Sequence, residues 1–218
     1  MTASAECAIR QSAFPTEEAS ARNAIARLGS PRMRNVPDEA LLRQVAARDG
    51  LAIRVLFERH QVRIYRFVLR LVGNAAVAED VTSDVFLDVW RQAGRFDGRS
   101  AVSTWLLAIA RFKALTALRR RTECELDDCA AEAIEDPSGN PQFAIEEKDR
   151  SAIIRKCLTG LSIQHREIID LVYYQQKSTE EVAEIVGIPV NTVKTRMFYA
   201  RKKLSALLQA AGIVGVAA

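Results

Sequence analysis

Two histidines and four cysteines are all the imidazole and thiol groups that this chain of 218 residues carries, and they do not cluster. Cys7, Cys124, Cys129 and Cys157 form no CxxC pair, and neither His60 nor His165 is spaced with them as zinc ligands are. No metal site and no cofactor are therefore expected. Reduced thiols are the default for such a chain, and the acidic neighbours of Cys124 and Cys129 disfavour the thiolate that a redox switch needs. Long apolar runs are also missing. The chain start lacks the core of a signal peptide, and the terminal AAGIVGVAA is far too short to cross a bilayer. A cytoplasmic protein without membrane insertion is the expectation. There is no Walker-type phosphate loop, nucleophile elbow or metalloprotease motif, so an enzyme is not expected.

What is present is a soluble globular composition, 49% hydrophobic and 27% charged, with a net charge of +4. The placement of the charge says more than its sum. Residues 178–204, STEEVAEIVGIPVNTVKTRMFYARKKL, carry the pattern of two helices joined by a tight turn. Val182, Ala183, Ile185 and Val186 fit one buried stripe, Gly187 stops that helix and Pro189 favours a new start. In the second helix Val193, Met197, Ala200 and Leu204 recur at helical spacing and face inward. Asn191, Thr195, Phe198 and Lys202 fall on the opposite side, flanked by Lys194 and Arg196. Five basic residues and no acid lie between Val190 and Leu204. Amide and hydroxyl groups near a helix start reach base edges, and Lys and Arg neutralise phosphate, so this pair reads as a DNA-binding helix-turn-helix. A hairpin with a merely solvated basic face would not call for the small Ala183 and the turn Gly187 at a close helix crossing.

The rest of the chain reads as helix throughout, which makes the expected fold class all-α: two small helical domains joined by a flexible acidic linker. Residues 1–37 carry Pro15, Pro31 and Pro37 with weak periodicity and read as a flexible arm. Residues 38–121 form the first domain, with Asp38 expected as the cap of its first helix, then helices at about 51–72, 75–93 and 101–121. Residues 122–142 are the linker, in which Glu123 to Asp136 holds seven acids and no base before the breaker Pro137-Ser-Gly-Asn-Pro141. Residues 143–212 form the second domain, with helices at about 143–159 and 162–174 ahead of the helix-turn-helix.

Two helices of the first domain are complementary in charge. The third places Asp80, Asp84 and Asp88 on one ridge beside Val77, Val81, Val85, Phe86 and Val89. Like charges at that spacing repel, and the ridge fits equally a docking face for a basic partner and a solubilising surface. The fourth bears Arg111, Lys113, Arg119, Arg120 and Arg121 with no acid, and its apolar face is expected from Val102, Trp105, Ile109, Phe112 and Leu115. The preceding loop holds Arg95, Phe96 and Arg99, two cations and a ring of the kind that meets a nucleic-acid backbone and its bases.

Three stretches in order, AEDVTSDVFLDVW, WLLAIARFKALTALRRR and TEEVAEIVGIPVNTVKTRMFYARKKL, resemble the bacterial RNA polymerase sigma factors of the small, extracytoplasmic-function (ECF) type within the sigma-70 family. The resemblance covers roughly residues 38–121 and 143–208. It implies a factor that binds core RNA polymerase and directs promoter-specific transcription initiation. Asp80, Asp84, Phe86 and Asp88 would dock on the polymerase. Arg95, Phe96, Arg99, Arg111, Lys113, Arg119 and Arg120 would contact the melted −10 element. Asn191, Thr192, Lys194, Thr195, Arg196 and Lys202 would read the −35 duplex. An anti-sigma factor is a further partner that the resemblance implies. The chain departs from the family pattern at Ser83, where Gln is common, and at Phe112 and Thr116, where Asn and Asp are common. Other readings are a conventional helix-turn-helix regulator binding an operator, and a helical interaction protein without promoter activity. The first usually dimerises and carries a ligand or receiver domain, for which the first domain shows no pocket signature.

Overall fold

The computed structural model describes residues 35–125 and 153–212, with side chains placed to Arg121 in the first stretch. The arm before residue 35, most of the acidic linker with Cys129, the side chain of Cys124 and the tail after residue 212 lie outside the described residues. The described residues contain helices and turns only, as an all-α chain should.

Local chemistry sets the helix ends. Helix α1 spans Asp38–Ala46, and Pro37, not Asp38, holds the N-cap position. Asp38 makes no cap because residues more than twenty positions away claim its carboxylate: Arg59 Nη1 donates to it at 2.5 Å and His60 Nε2 lies 2.6 Å from it. Helix α2, Gly50–Val72, starts under the Asp49 carboxylate, which accepts from the amides of Leu51 and Ala52, and stops where Gly73 turns left-handed at φ 69°. Helix α3, Ala75–Gln92, is capped by Asn74, whose side chain accepts from the amide of Val77. A 3-10 turn at Ala93–Arg95 leads to α4, Val102–Glu125. Four helices thus enclose a core of Leu41, Leu42, Leu56, Ile64, Phe67, Val85, Val89 and Leu106, all essentially dry. Each such side chain contributes about 1.5–3 kcal/mol over an exposed one.

Helix α4 differs from its expected face. Val102, Leu106, Leu107, Ala110 and Ala114 are buried, while Phe112 is 72% exposed and Trp105 and Ile109 are only partly covered. A single apolar stripe was the wrong template, because α4 has neighbours on two sides. It packs on α2 and α3 and also receives a helix of the second unit.

That unit comprises α5 (residues 153–159), α6 (Ile163–Ile169), a π-helical turn at Asp170–Tyr174, α7 (Thr179–Val186) and α8 (Val190–Ala210). A capping box opens α7: the Ser178 hydroxyl accepts from the Glu181 amide, and the Glu181 carboxylate accepts from the Ser178 amide. Gly187 ends α7 at φ 72°, and only Gly187, Ile188 and Pro189 separate it from α8. Ile168, Leu171, Val182, Ile185, Val186 and Val193 share one apolar cluster with the first unit, whereas Leu158, Leu161, Ile169 and Ala200 form a second. The two helical units therefore pack on one another through α4 and α7.

Two glycines should respond oppositely to alanine. Gly187→Ala forces a side chain into the left-handed region and should cost about 1 kcal/mol. Gly50 stands at a helical position with nothing within 4 Å of an added Cβ, so Gly50→Ala should gain about 0.5 kcal/mol. Urea denaturation of the two variants checks both signs.

Candidate nucleic-acid and polymerase interfaces

The short turn after Gly187 fixes how α8 leaves α7, and the burial of Val193 and Ala200 fixes which way α8 faces. Asn191, Lys194, Thr195 and Lys202 consequently stand in solvent on one side of the helix, with Thr192 and Arg196 half-buried at its edges. The structure brings these six together. Thr195 is partly committed, since its hydroxyl donates to the Asn191 carbonyl at 3.0 Å. Farther along the helix Phe198 and Tyr199 are exposed and meet edge to face, their ring centroids 5.5 Å apart. This face carries hydrogen-bonding groups at its start and cations along its length, which is what a major groove accepts.

In the first unit the loop after α3 gathers Arg95, Phe96 and Arg99. Arg95 and Arg99 are exposed, and Arg99 Nε lies 3.0 Å from the carboxylate of Asp97. Phe96 is half-buried, its ring 5.5 Å from that of Trp105, so one side of it is already occupied. Arg119 and Arg120 stand exposed farther down α4. Arg111 and Lys113 do not join them. Lys113 Nζ turns to the acidic ridge, 2.8 Å from Asp88 and 3.9 Å from Asp84. Arg111 turns to the second unit, where Nε donates to Glu167 at 2.9 Å.

The acidic ridge is partly satisfied within the molecule. Asp80 is exposed and Asp84 is 63% exposed, but Asp88 is 28% exposed and paired with Lys113 and, at 3.8 Å, with Arg91. Phe86, expected at the docking surface, is 6% exposed and packs edge-on against Phe57 at 4.8 Å. It supports the ridge from beneath, because Phe86 follows Val85 into the core and does not continue the aspartate row.

Sequence reasoning missed a polar seam between the units. Arg70 forks onto Asp170, with Nη2 at 3.2 Å and a second, shorter bond from Nε. Arg111 forks onto Glu167. Arg63 donates to both the side chain and the backbone carbonyl of Gln175, and Gln175 Nε2 donates to Asp170 at 3.1 Å. Nearby, Lys177 Nζ donates to Ser103, Thr104 and Glu181 at 2.9, 2.8 and 2.7 Å. Burial pushes the Asp170 carboxyl above its ordinary value, outweighing the downward pull of Arg70 and Gln175. Burial also acts against the Glu181 carboxylate, but there the bonds from Lys177, Ser178 and Thr104 win and hold it down to about 2. A signal was present: Glu167 near the end of α6 and Asp170 at the start of the π-helical turn lie three apart, and Arg63 and Arg70 lie seven apart on α2.

With this geometry in place, the comparisons with known proteins agree with one another. A family described as sigma-70 region 2 matches residues 56–123, and one described as sigma-70, region 4 matches residues 151–204. The ECF RNA polymerase sigma factor SigK of Mycobacterium sp. (strain KMS) is 30% identical over 162 residues, covering 73% of this chain and 84% of that protein. The ECF RNA polymerase sigma factor SigL of Mycobacterium tuberculosis (strain ATCC 25618 / H37Rv) is 31% identical over 173 residues, covering 77% and 95%. Among solved structures, the sigma factor RpoE in complex with the anti-sigma factor NepR from Bartonella quintana superposes with a TM-score of 0.62 at 25% identity, over 72% of this chain and 96% of that one. CnrH in complex with the cytosolic domain of CnrY gives 0.61 at 26% identity, over 79% and 97%.

Glu181 generates a pH prediction. A carboxylate whose pKa is lower folded than unfolded adds stability above its unfolded value, here 4.5, and that stability is lost as pH falls towards about 2. Glu181→Gln leaves Lys177 without its counter-charge and should cost roughly 1–3 kcal/mol at neutral pH. The gap to the parent chain should close between pH 4.5 and about 2 in denaturant titrations.

Proposed function

The chain belongs to the sigma-70 family as an ECF sigma factor, and from that premise we propose how its residues divide the work of promoter-specific initiation with core RNA polymerase. The observation that carries the division is the open face of α8, six polar side chains on a helix whose opposite side is core. Asn191, Thr192, Thr195 and Arg196 meet base edges of the −35 duplex, and Lys194 and Lys202 meet phosphate. Arg95, Phe96 and Arg99, with Arg119 and Arg120 behind them, receive the melted −10 strand. Phe96 offers one ring face for stacking and the arginines follow the backbone. A base drawn out of its stack costs a few kcal/mol, which a loop already in place helps to offset.

Asp80 and Asp84 form the docking ridge for the polymerase, with Asp88 contributing through the charge it shares with Lys113. The bond-making chemistry belongs to the polymerase, so this chain is a non-catalytic partner acting in the cytoplasm where that enzyme works. An anti-sigma factor is a second protein partner, by analogy with the complex of RpoE and the anti-sigma factor NepR, whose sigma subunit this fold matches. The functional segments are residues 1–37 ahead of the first domain, 38–121 for core and −10 contacts, 122–142 as the connection, whose first four residues continue α4, and 143–212 for the −35 element.

Transcription in vitro from a genomic promoter library, with core polymerase and with or without this protein, tests the reading directly. Protein-dependent starts that share two spaced upstream elements support it, and tight DNA binding without new starts supports an operator-binding regulator. Arg196→Ala should weaken selection at the −35 element by roughly 1–3 kcal/mol, read as relaxed preference in the same library. Asp84→Arg should reduce core-polymerase binding in a pull-down while the circular dichroism melt stays close to that of the parent, and normal core affinity would remove the ridge from the docking surface.

A further inference from the structure

A groove with a volume of about 320 Å³ runs between α2 and α3 of the first unit, with Phe57, Val62 and Tyr65 on one wall and Glu79, Thr82 and Ser83 on the other. The α2 wall is apolar and open: Val62 is 52% exposed, and Phe57 is held there by its edge-on contact with buried Phe86. On the α3 wall the Thr82 hydroxyl is spent within the helix, donating to the Ala78 carbonyl at 2.7 Å, and Ser83 is short. Glu79 is exposed beside it, and Asp80 and Asp84 stand on the next row of the same helix.

The residues ahead of α1 carry the complement of this surface. Residues 19–36 hold Arg22, Arg27, Arg32 and Arg34 and no acid, with Ile25 and Leu28 among them. The described chain also starts against α2, since the Val36 carbonyl accepts from Arg59 Nη1 at 2.7 Å. By helical position Arg59 and the groove lie on either side of an exposed crest that carries Glu58 and Val62. Half a turn round a helix is a path of about 15–20 Å. The seven residues from Leu28 to Asn35 reach up to about 25 Å.

We propose that residues 22–34 seat Ile25 and Leu28 in the groove and lay their arginines on Glu79, Asp80 and Asp84, so that a segment of the chain competes with core polymerase for the docking ridge. The inference rests on the reading of Asp80 and Asp84 as that ridge, and adds how access to it is controlled. Aliphatic burial supplies the attraction, the exposed ion pairs set the direction of the segment and are screened by salt, and ordering the segment opposes both. The result is a contact that a larger partner can displace. Because the segment is tethered, its effective concentration does not depend on that of the protein. A competitor seated about four-fifths of the time leaves about one-fifth of the chains competent, which weakens apparent polymerase affinity about fivefold.

The test places the photo-crosslinker p-benzoylphenylalanine at position 25 of the full chain and maps its products by mass spectrometry. Monomeric products joined to residues 57–65 or 79–83 are expected. Products joined elsewhere, or to the groove of another chain in a dimeric band, overturn the internal seat. Leu28→Asp should abolish the groove product, and without the crosslinker it should bind core polymerase about fivefold tighter than the charge-matched control Ala8→Asp. Groove products with equal polymerase affinities for the two variants overturn the competition. The crosslink needs no polymerase, so the two readings fail separately. Normal core affinity of Asp84→Arg overturns the docking ridge and the competition with it, whereas loss of core affinity without any groove product retains the ridge and overturns the seat of the segment.

Discussion

Two carboxylates that water barely reaches, Glu167 and Asp170, impose the strictest condition on this structure. A buried charge without a partner is prohibitively costly, so each must find a guanidinium, and each finds it on the other unit. That requirement selects one orientation of α6 against α2 and α4. Apolar contacts alone would tolerate several, because Ile168, Leu171 and Leu107 are interchangeable in shape to a degree that a two-pronged ion pair is not. Arg166 extends the constraint inward by donating to the carbonyls of Leu158, Thr159 and Leu161, which ties α5 to α6.

From that anchored helix the geometry passes outward in rigid steps. The π turn at Asp170–Tyr174 lets Gln175 reach back to Asp170 and forward to Arg63. Lys177 then fastens the start of α7 to the start of α4 through Ser103 and Thr104. The capping box and Gly187 complete α7, and the three-residue turn aims α8. The direction of α8 therefore follows from the turn at Gly187 and from the burial of its own Val193 and Ala200.

How much of this was readable beforehand depended on whether a residue's role was local. Gly73, Asn74, Ser178 and Gly187 act within one turn of their own helix, and such signals place helix ends to within a residue or two. The buried stripe of α8 was equally plain, since Val193 and Ala200 lie on the same side of the helix. Long-range partners undid the rest. Asp38 looks like a cap until Arg59 and His60 claim it, and α4 looks one-sided until α7 covers its second face. Arg111 and Lys113 look like one basic surface with Arg119, yet two different acids draw them to opposite sides of α4. A charged residue on a helix normally reads as solvated, and only the fold shows that Glu167 and Asp170 are not.

The separation of duties along α8 bears on how such a factor could diverge. Asn191, Lys194, Thr195 and Lys202 contribute nothing to the core, while Val193, Ala200 and Leu208 contribute nothing to the open face. On the proposed division, exchanging Asn191 or Thr195 changes which bases are read and leaves the core untouched. After a duplication, a copy could drift to a new set of genes by a handful of surface changes, passing through no unfolded intermediate sequence on the way.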